Sequence, residues 1–112
     1  MLNTCTIVGN LGDSVSMFYS SEGSPVASFD IAFQSSKKKT CWIKIVAFQK
    51  IAEIAAKYLT KGSRIAVTGT LDQHKWQTDE GQNRSTFQII ATSLEFIKVD
   101  FKDGESADDI PF

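Results

Sequence analysis

The sequence predicts an all-β fold with one helix, closed into a five-stranded barrel with extended β-hairpin loops. Three observations lead there. Short runs of alternating apolar residues recur along the chain. A single segment, 49–62, switches to helical spacing. Polar stretches centred on glycine separate the runs.

The first run, NTCTIVGN (3–10), is a strand leading into GNLGD, where Gly9 and Gly12 are expected to supply turn or bulge geometry. SVSMFYS (14–20) continues this strand or begins another, with Phe18 and Tyr19 expected as packing residues, and SSEGSP (20–25) is a turn by composition. VASFDIAFQ (26–34) alternates as a second strand, and SSKKKT (35–40) is a short basic loop into the third. QKIAEIAAKYLTKG (49–62) places Ile51, Ile54, Ala55, Tyr58 and Leu59 on one helical face, with Lys57 and Lys61 towards its end and Gly62 suited to the position after it. SRIAVTGTLDQHKWQ (63–77) alternates around Gly69, which predicts a bulged, strongly curved strand. TDEGQNR (78–84) is a hairpin loop around Gly81, and STFQIIATSLEFIKV (85–99) returns as a long last strand. Strands with one helix between the third and fourth, then a long hairpin, fit a barrel of the oligonucleotide/oligosaccharide-binding (OB) type.

The third strand carries an anomaly. In residues 40–48, Cys41, Ile43, Ile45 and Ala47 point one way and make an ordinary core face. Trp42, Lys44, Val46 and Phe48 point the other way, and a cation among them would be costly to bury unpaired. That second face therefore belongs in solvent or at an interface. From the strand alone, a second core, a subunit contact and a ligand platform all remain open.

Charge and composition narrow the function classes. At 112 residues, 42% hydrophobic and 22% charged, the chain is one small globular domain. No apolar run approaches the roughly 18 residues that span a bilayer, and MLNTCTIVGN lacks the pattern of a signal peptide, so a cytoplasmic protein with no membrane partner is expected. Cys5 and Cys41 are expected as buried reduced thiols, too few for a zinc site. No clustered metal-ligand set, no glycine-rich phosphate loop and no nucleophile with a base nearby is evident; the expectation is no enzyme, no catalytic residue, no metal and no cofactor, with the lone His74 in an exposed polar or phosphate-contacting role. Net charge is uneven. Residues 1–98 hold 11 Lys and Arg against eight Asp and Glu, whereas residues 99–112 hold one Lys against five acids. A mildly basic body, +3, precedes an acidic tail, −4, so the overall charge of −1 does not exclude a polyanionic partner.

Four motifs in order, IVGNLG, CWIKIVAFQKIAEIAAKYLTKGSRIAVTGTL, KWQTDEGQNR and a terminal DDIPF, resemble the bacterial-type single-stranded DNA-binding proteins over nearly the whole chain. The resemblance implies an OB-fold DNA-binding and oligomerisation domain over 1–98, usually a homotetramer, and a short linker with a disordered acidic tail over 99–112. It implies base stacking on Trp42, Phe48 and Trp76, and phosphate contacts from Lys50, Lys61, Lys75 and Arg84, with Lys44 between two of the aromatics. Aromatic planes interleaved with cations are what a flexible polyanion with exposed base faces requires. On one strand face alternate residues stand about 6.6 Å apart, near the internucleotide spacing of an extended strand.

The sequence also departs from the family pattern. Between the second and third strands relatives commonly carry a longer hairpin with another stacking Trp; here Lys37, Lys38 and Lys39 stand in its place, so charge replaces stacking. The linker, KVDFKDGESA, is short, which limits the reach of the tail. By the resemblance, Asp108, Asp109, Ile110, Pro111 and Phe112 recruit replication, recombination and repair proteins; Pro111 holds Ile110 extended, presenting an apolar end and the α-carboxylate to a basic-rimmed groove. A protein adaptor like the primosomal relatives is the alternative, and those usually lack such a tail.

Overall fold

A computed structural model of the protein describes residues 2–98. The linker and tail, 99–112, lie outside the described residues. Strand β1 (Cys5–Leu11) pairs antiparallel with β5 (Arg64–Gln77), which pairs antiparallel with β6 (Asn83–Lys98). β6 runs parallel to β4 (Lys39–Phe48), and β4 pairs antiparallel with β3 (Pro25–Ser36). β3 returns to the end of β1 through Asn10↔Ala32 and Leu11↔Ile31. That last pairing closes a ring of five strands, and the short β2 (Ser16–Tyr19) hangs on the outer edge of β3.

Alternation decides which side of each strand is buried. Ile31, Ile45, Ile65, Val67 and Ile89 are fully enclosed inside the ring. Helix α1 (Gln49–Tyr58) adds Ala52, Ala55 and the following Leu59 to this core. Burying an aliphatic side chain of this size contributes about 1.5–3 kcal/mol, so these few residues dominate the stability of a small barrel.

Several expectations need correction. Of the two readings of SVSMFYS the second holds, since the chain bends after Leu11, with the Ser14 N–H donating to Asp13 Oδ1 at 2.8 Å, and a separate strand begins. Because β2 is an edge strand, Phe18 and Tyr19 are exposed instead of packed. SSKKKT is not a loop: β3 and β4 extend into it, Ser36 pairs with Lys39, and only Lys37 and Lys38 form the turn. Polar residues serve as strand there because both faces of this hairpin meet solvent. The helix stops at Tyr58, short of Lys61 and Gly62. Leu59 turns extended to reach the core, and the Ser63 hydroxyl accepts the Thr60 N–H at 3.0 Å, holding a turn that carries Gly62 at φ 91°.

The expectations for Gly69 and Gly81 hold. A register shift falls between Thr68 and Gly69 of β5, as the interrupting glycine predicts. A Cβ on Gly69 would lie 2.8 Å from the Ile90 carbonyl carbon and closer still to its oxygen, so β6 approaches as it does only because that Cβ is missing. Gly81, at φ 85°, turns the 78–82 loop, and its N–H donates to the Thr78 carbonyl at 2.9 Å. The two cysteines are free and half-buried, less enclosed than expected; the Cys41 thiol lies 3.6 Å from Ser35 Oγ.

Candidate nucleic-acid interface

The face opposite the β4 core side is open along its length. Trp42 is 60% exposed and Phe48 46%, with Lys44 exposed between them and Val46 half-buried. Of the inward set, Ile45 and Ala47 are fully enclosed and Cys41 and Ile43 are half-buried. The strand thus separates its two apolar sets as alternation demands, and the aromatic set is not a second core within the protomer.

Neighbouring strands build the floor around this stripe. Asp30 on β3 pairs with Lys44, Lys44 with Gln88 on β6, and Gln88 with Asp72 on β5, which sets one transverse row across four strands. Gln88 Nε2 donates to Asp72 Oδ2 at 3.0 Å, which fixes the amide beside Lys44. Beyond the row β5 and β6 continue as a two-stranded arm through Trp76↔Arg84 and Gln77↔Asn83. The arm returns two aromatics to the same side: Lys44, His74, Trp76, Thr86 and Gln88 line one cleft. In it the His74 and Trp76 rings stack, centroids 5.3 Å apart and planes 24° from parallel. Trp76 is 44% exposed. The cleft therefore offers a cation, two amide or hydroxyl groups and a broad aromatic surface to a flat, charged ligand.

The expected cations distribute unevenly. Lys44 lies in the cleft. Lys50 is exposed in the first turn of α1, two residues after Phe48. Lys61 is exposed on the 60–63 turn, whose Gly62 N–H donates to the Leu11 carbonyl at 2.9 Å, so it stands beside the end of β1. Lys37 and Lys38 occupy the tip of the β3–β4 hairpin, and Lys39 opens β4. Arg84 pairs with Trp76 across the arm, and its guanidinium donates to Gln82 Oε1 at 2.9 Å. Lys75 alternates to the opposite face of the arm from Trp76, yet both border one groove with Asn83, Arg84 and Ser85. The acidic group of the tail, Asp108 and Asp109, and the apolar Ile110, Pro111 and Phe112 lie outside the described residues.

Three features were missed in the sequence. Phe87, on the other side of the arm, is 54% exposed; its place in an alternating strand concealed that the barrel has already ended there. His74 stacks on Trp76, and the i, i+2 spacing of the two rings on one strand was the available signal. Gly12 lies at the bend after β1, as expected, and Gly9 lies within β1, but neither has a positive φ that would call for glycine. Each instead admits a close neighbour: Ala32 backbone at Gly9, and the Trp42 ring at Gly12.

Comparison with known proteins agrees with this geometry. A family model described as the single-strand binding protein family matches residues 2–97. The fold is similar to that of the Plasmodium falciparum SSB solved in complex with ssDNA, at TM-score 0.79 and 29% identity, covering 88% of this chain and 97% of that one.

Proposed function

This chain belongs to the single-strand binding protein family, and we propose that its barrel binds single-stranded DNA irrespective of sequence. The observation that carries the reading is the pair Trp42 and Trp76, both exposed and flanking Lys44 on one side of the sheet. Bases stack on Trp42, Phe48 and Trp76, and the phosphates between them are met by Lys44, Lys50, Lys61, Lys75 and Arg84 and, at the hairpin tip, by Lys37, Lys38 and Lys39. Every base has a π-face, so stacking tolerates any sequence. A duplex keeps those faces stacked internally, so the protein favours unpaired strands, protects them and melts weak hairpins.

The finer roles rest on the resemblance of the motifs. The protein acts in replication, recombination and repair as a homotetramer of the 1–98 domain, and the tail residues 108–112 recruit partner proteins. No helix among the described residues is long and apolar enough to cross a membrane. The test is a titration of intrinsic tryptophan fluorescence with an oligo(dT) strand and with a matched duplex, at low and high salt. Strong quenching by the single strand alone, with affinity falling as salt rises, is the expected result. Absence of quenching by both would leave the aromatics as interface residues and favour a protein adaptor of the primosomal kind.

A further inference from the structure

We infer that Gly12 is a positioning residue for the Trp42 platform: the missing side chain is the seat on which the indole lies. The inference rests on the reading of Trp42 as a stacking residue. A Cβ built on Gly12 would lie 2.6 Å from Trp42 Cη2, closer still to Cζ3, and 3.5 Å from Cε3. All three are atoms of the six-membered ring. The indole therefore covers the Gly12 backbone at a separation no other residue type allows.

Gly12 is itself held in place. Its N–H donates to the Asp30 carbonyl at 3.1 Å, fixing it to β3, and the preceding Leu11 is pinned by the 60–63 turn through two backbone bonds of 2.9 Å. The residue opposite Trp42 on β3 is the small Ala32, which leaves the way across that strand low. A ring rooted on β4 thus crosses β3 and ends on the chain leaving β1. Three strands fix the plane of one aromatic that is otherwise 60% exposed.

The backbone does not require glycine at this position. Positive φ occurs among the described glycines at Gly23, Gly62 and Gly81, and Gly12 is not one of them. Alanine is therefore allowed by the local conformation, and its only serious conflict is with a side chain whose outer face meets solvent. Trp42 can yield by rotating away, at little cost to the fold and at full cost to its preset plane. A merely structural glycine would behave the other way round, losing stability first.

Binding is compared for wild type, Gly12→Ala, Trp42→Ala and the double variant, each as the full chain, in oligo(dT) titrations followed by fluorescence anisotropy of a labelled strand, alongside thermal unfolding; emission is compared between Trp76→Phe with and without Gly12→Ala. Gly12→Ala is expected to unfold within a few degrees of wild type and to bind about fivefold or more weakly, the low end of one lost stacking contact. In the Trp42→Ala background the same change is expected to cost nothing, because the ring it displaces is gone. In a Trp76→Phe background, where Trp42 is the sole tryptophan, Gly12→Ala should shift emission to longer wavelength as the ring leaves the backbone. Wild-type affinity and emission for Gly12→Ala would overturn the inference, as would an equal loss in the Trp42→Ala background or a large fall in unfolding temperature. If wild type binds but Trp42→Ala binds equally well, the stacking role of Trp42 fails; if wild type does not bind at all, the DNA-binding reading fails and takes this inference with it.

Discussion

Trp42 and Trp76 differ in how they are held, and that difference should be measurable. Trp42 lies against backbone at Gly12, whereas Trp76 lies against another ring, His74, on an arm that projects from the barrel. Neither contributes to the buried core, so alanine at either position should leave thermal stability nearly unchanged. Each should weaken oligo(dT) binding by about 1–3 kcal/mol if it stacks on a base. An unfolding temperature that drops with Trp42→Ala would instead assign that ring a role in holding the protomer together. The residue scale also shows why the open face of β4 was legible in the sequence: Cys41, Ile43, Ile45 and Ala47 form a core set, and the alternate set holds Lys44, a cation too costly to bury unpaired, whereas what Trp42 and Phe48 bind came only from the resemblance of the motifs. Gly12 was not recognisable, because the partner that needs it is thirty residues away and the pairing of β1 with β3 is known only from the closed ring.

At the scale of elements, glycine inside a strand and polar residues at a hairpin behave differently as signals. Gly69 interrupts an otherwise alternating run, and the structure places a bulge there, with β6 backbone occupying the space of the absent side chain. Gly69→Ala should therefore be costly, about 1–3 kcal/mol by the usual penalty for overpacking, because two hydrogen-bonded strands must part and no flexible side chain can yield. Urea denaturation would show it as a lower midpoint; an unchanged midpoint would mean β5 and β6 separate freely there. The junction of β4 and α1 carries the opposite kind of residue. Gln49 has φ 55°, a left-handed conformation that costs a side-chain-bearing residue roughly 1–2 kcal/mol, and it turns the chain from Phe48 into the helix. Gln49→Gly should recover part of that, raising the urea midpoint while binding stays as in wild type. Such strain had no trace in the sequence, since glutamine is an ordinary helix former. SSKKKT was misread for a related reason: composition distinguishes polar from apolar, and a hairpin solvated on both faces is polar whether it is strand or loop. The end of α1 was misread because Leu59 fits the apolar helical face and yet reaches the core from an extended backbone.

Charge acts over the whole molecule, and here its distribution works against itself. The basic body of 1–98 and the acidic 99–112 belong to one chain, so on the proposed function the tail would compete with DNA for the same cations. Removing residues 99–112 should tighten oligo(dT) binding at low salt and make little difference at high salt, where exposed charges are screened within about 10 Å or less. Equal affinities of the full and shortened chains at every salt concentration would dismiss the competition. The three lysines at the β3–β4 hairpin allow a more quantitative statement. Lys37 and Lys38 form the turn and Lys39 the first strand position, all exposed at the far end of β4 from Phe48. If each neutralises one phosphate, replacing all three by glutamine removes three released counterions, and for a single strand each accounts for about 0.7 in the slope of log K against log salt. The slope should then become shallower by about 2 in the triple variant, with the largest loss of affinity at the lowest salt. Fluorescence titrations at four or five salt concentrations give that slope directly. A shallower slope with unchanged tryptophan quenching would separate the electrostatic contribution of the hairpin from the stacking contribution of Trp42 and Trp76. An unchanged slope would place the path of the strand away from the hairpin, along the cleft of Lys44 and the arm alone.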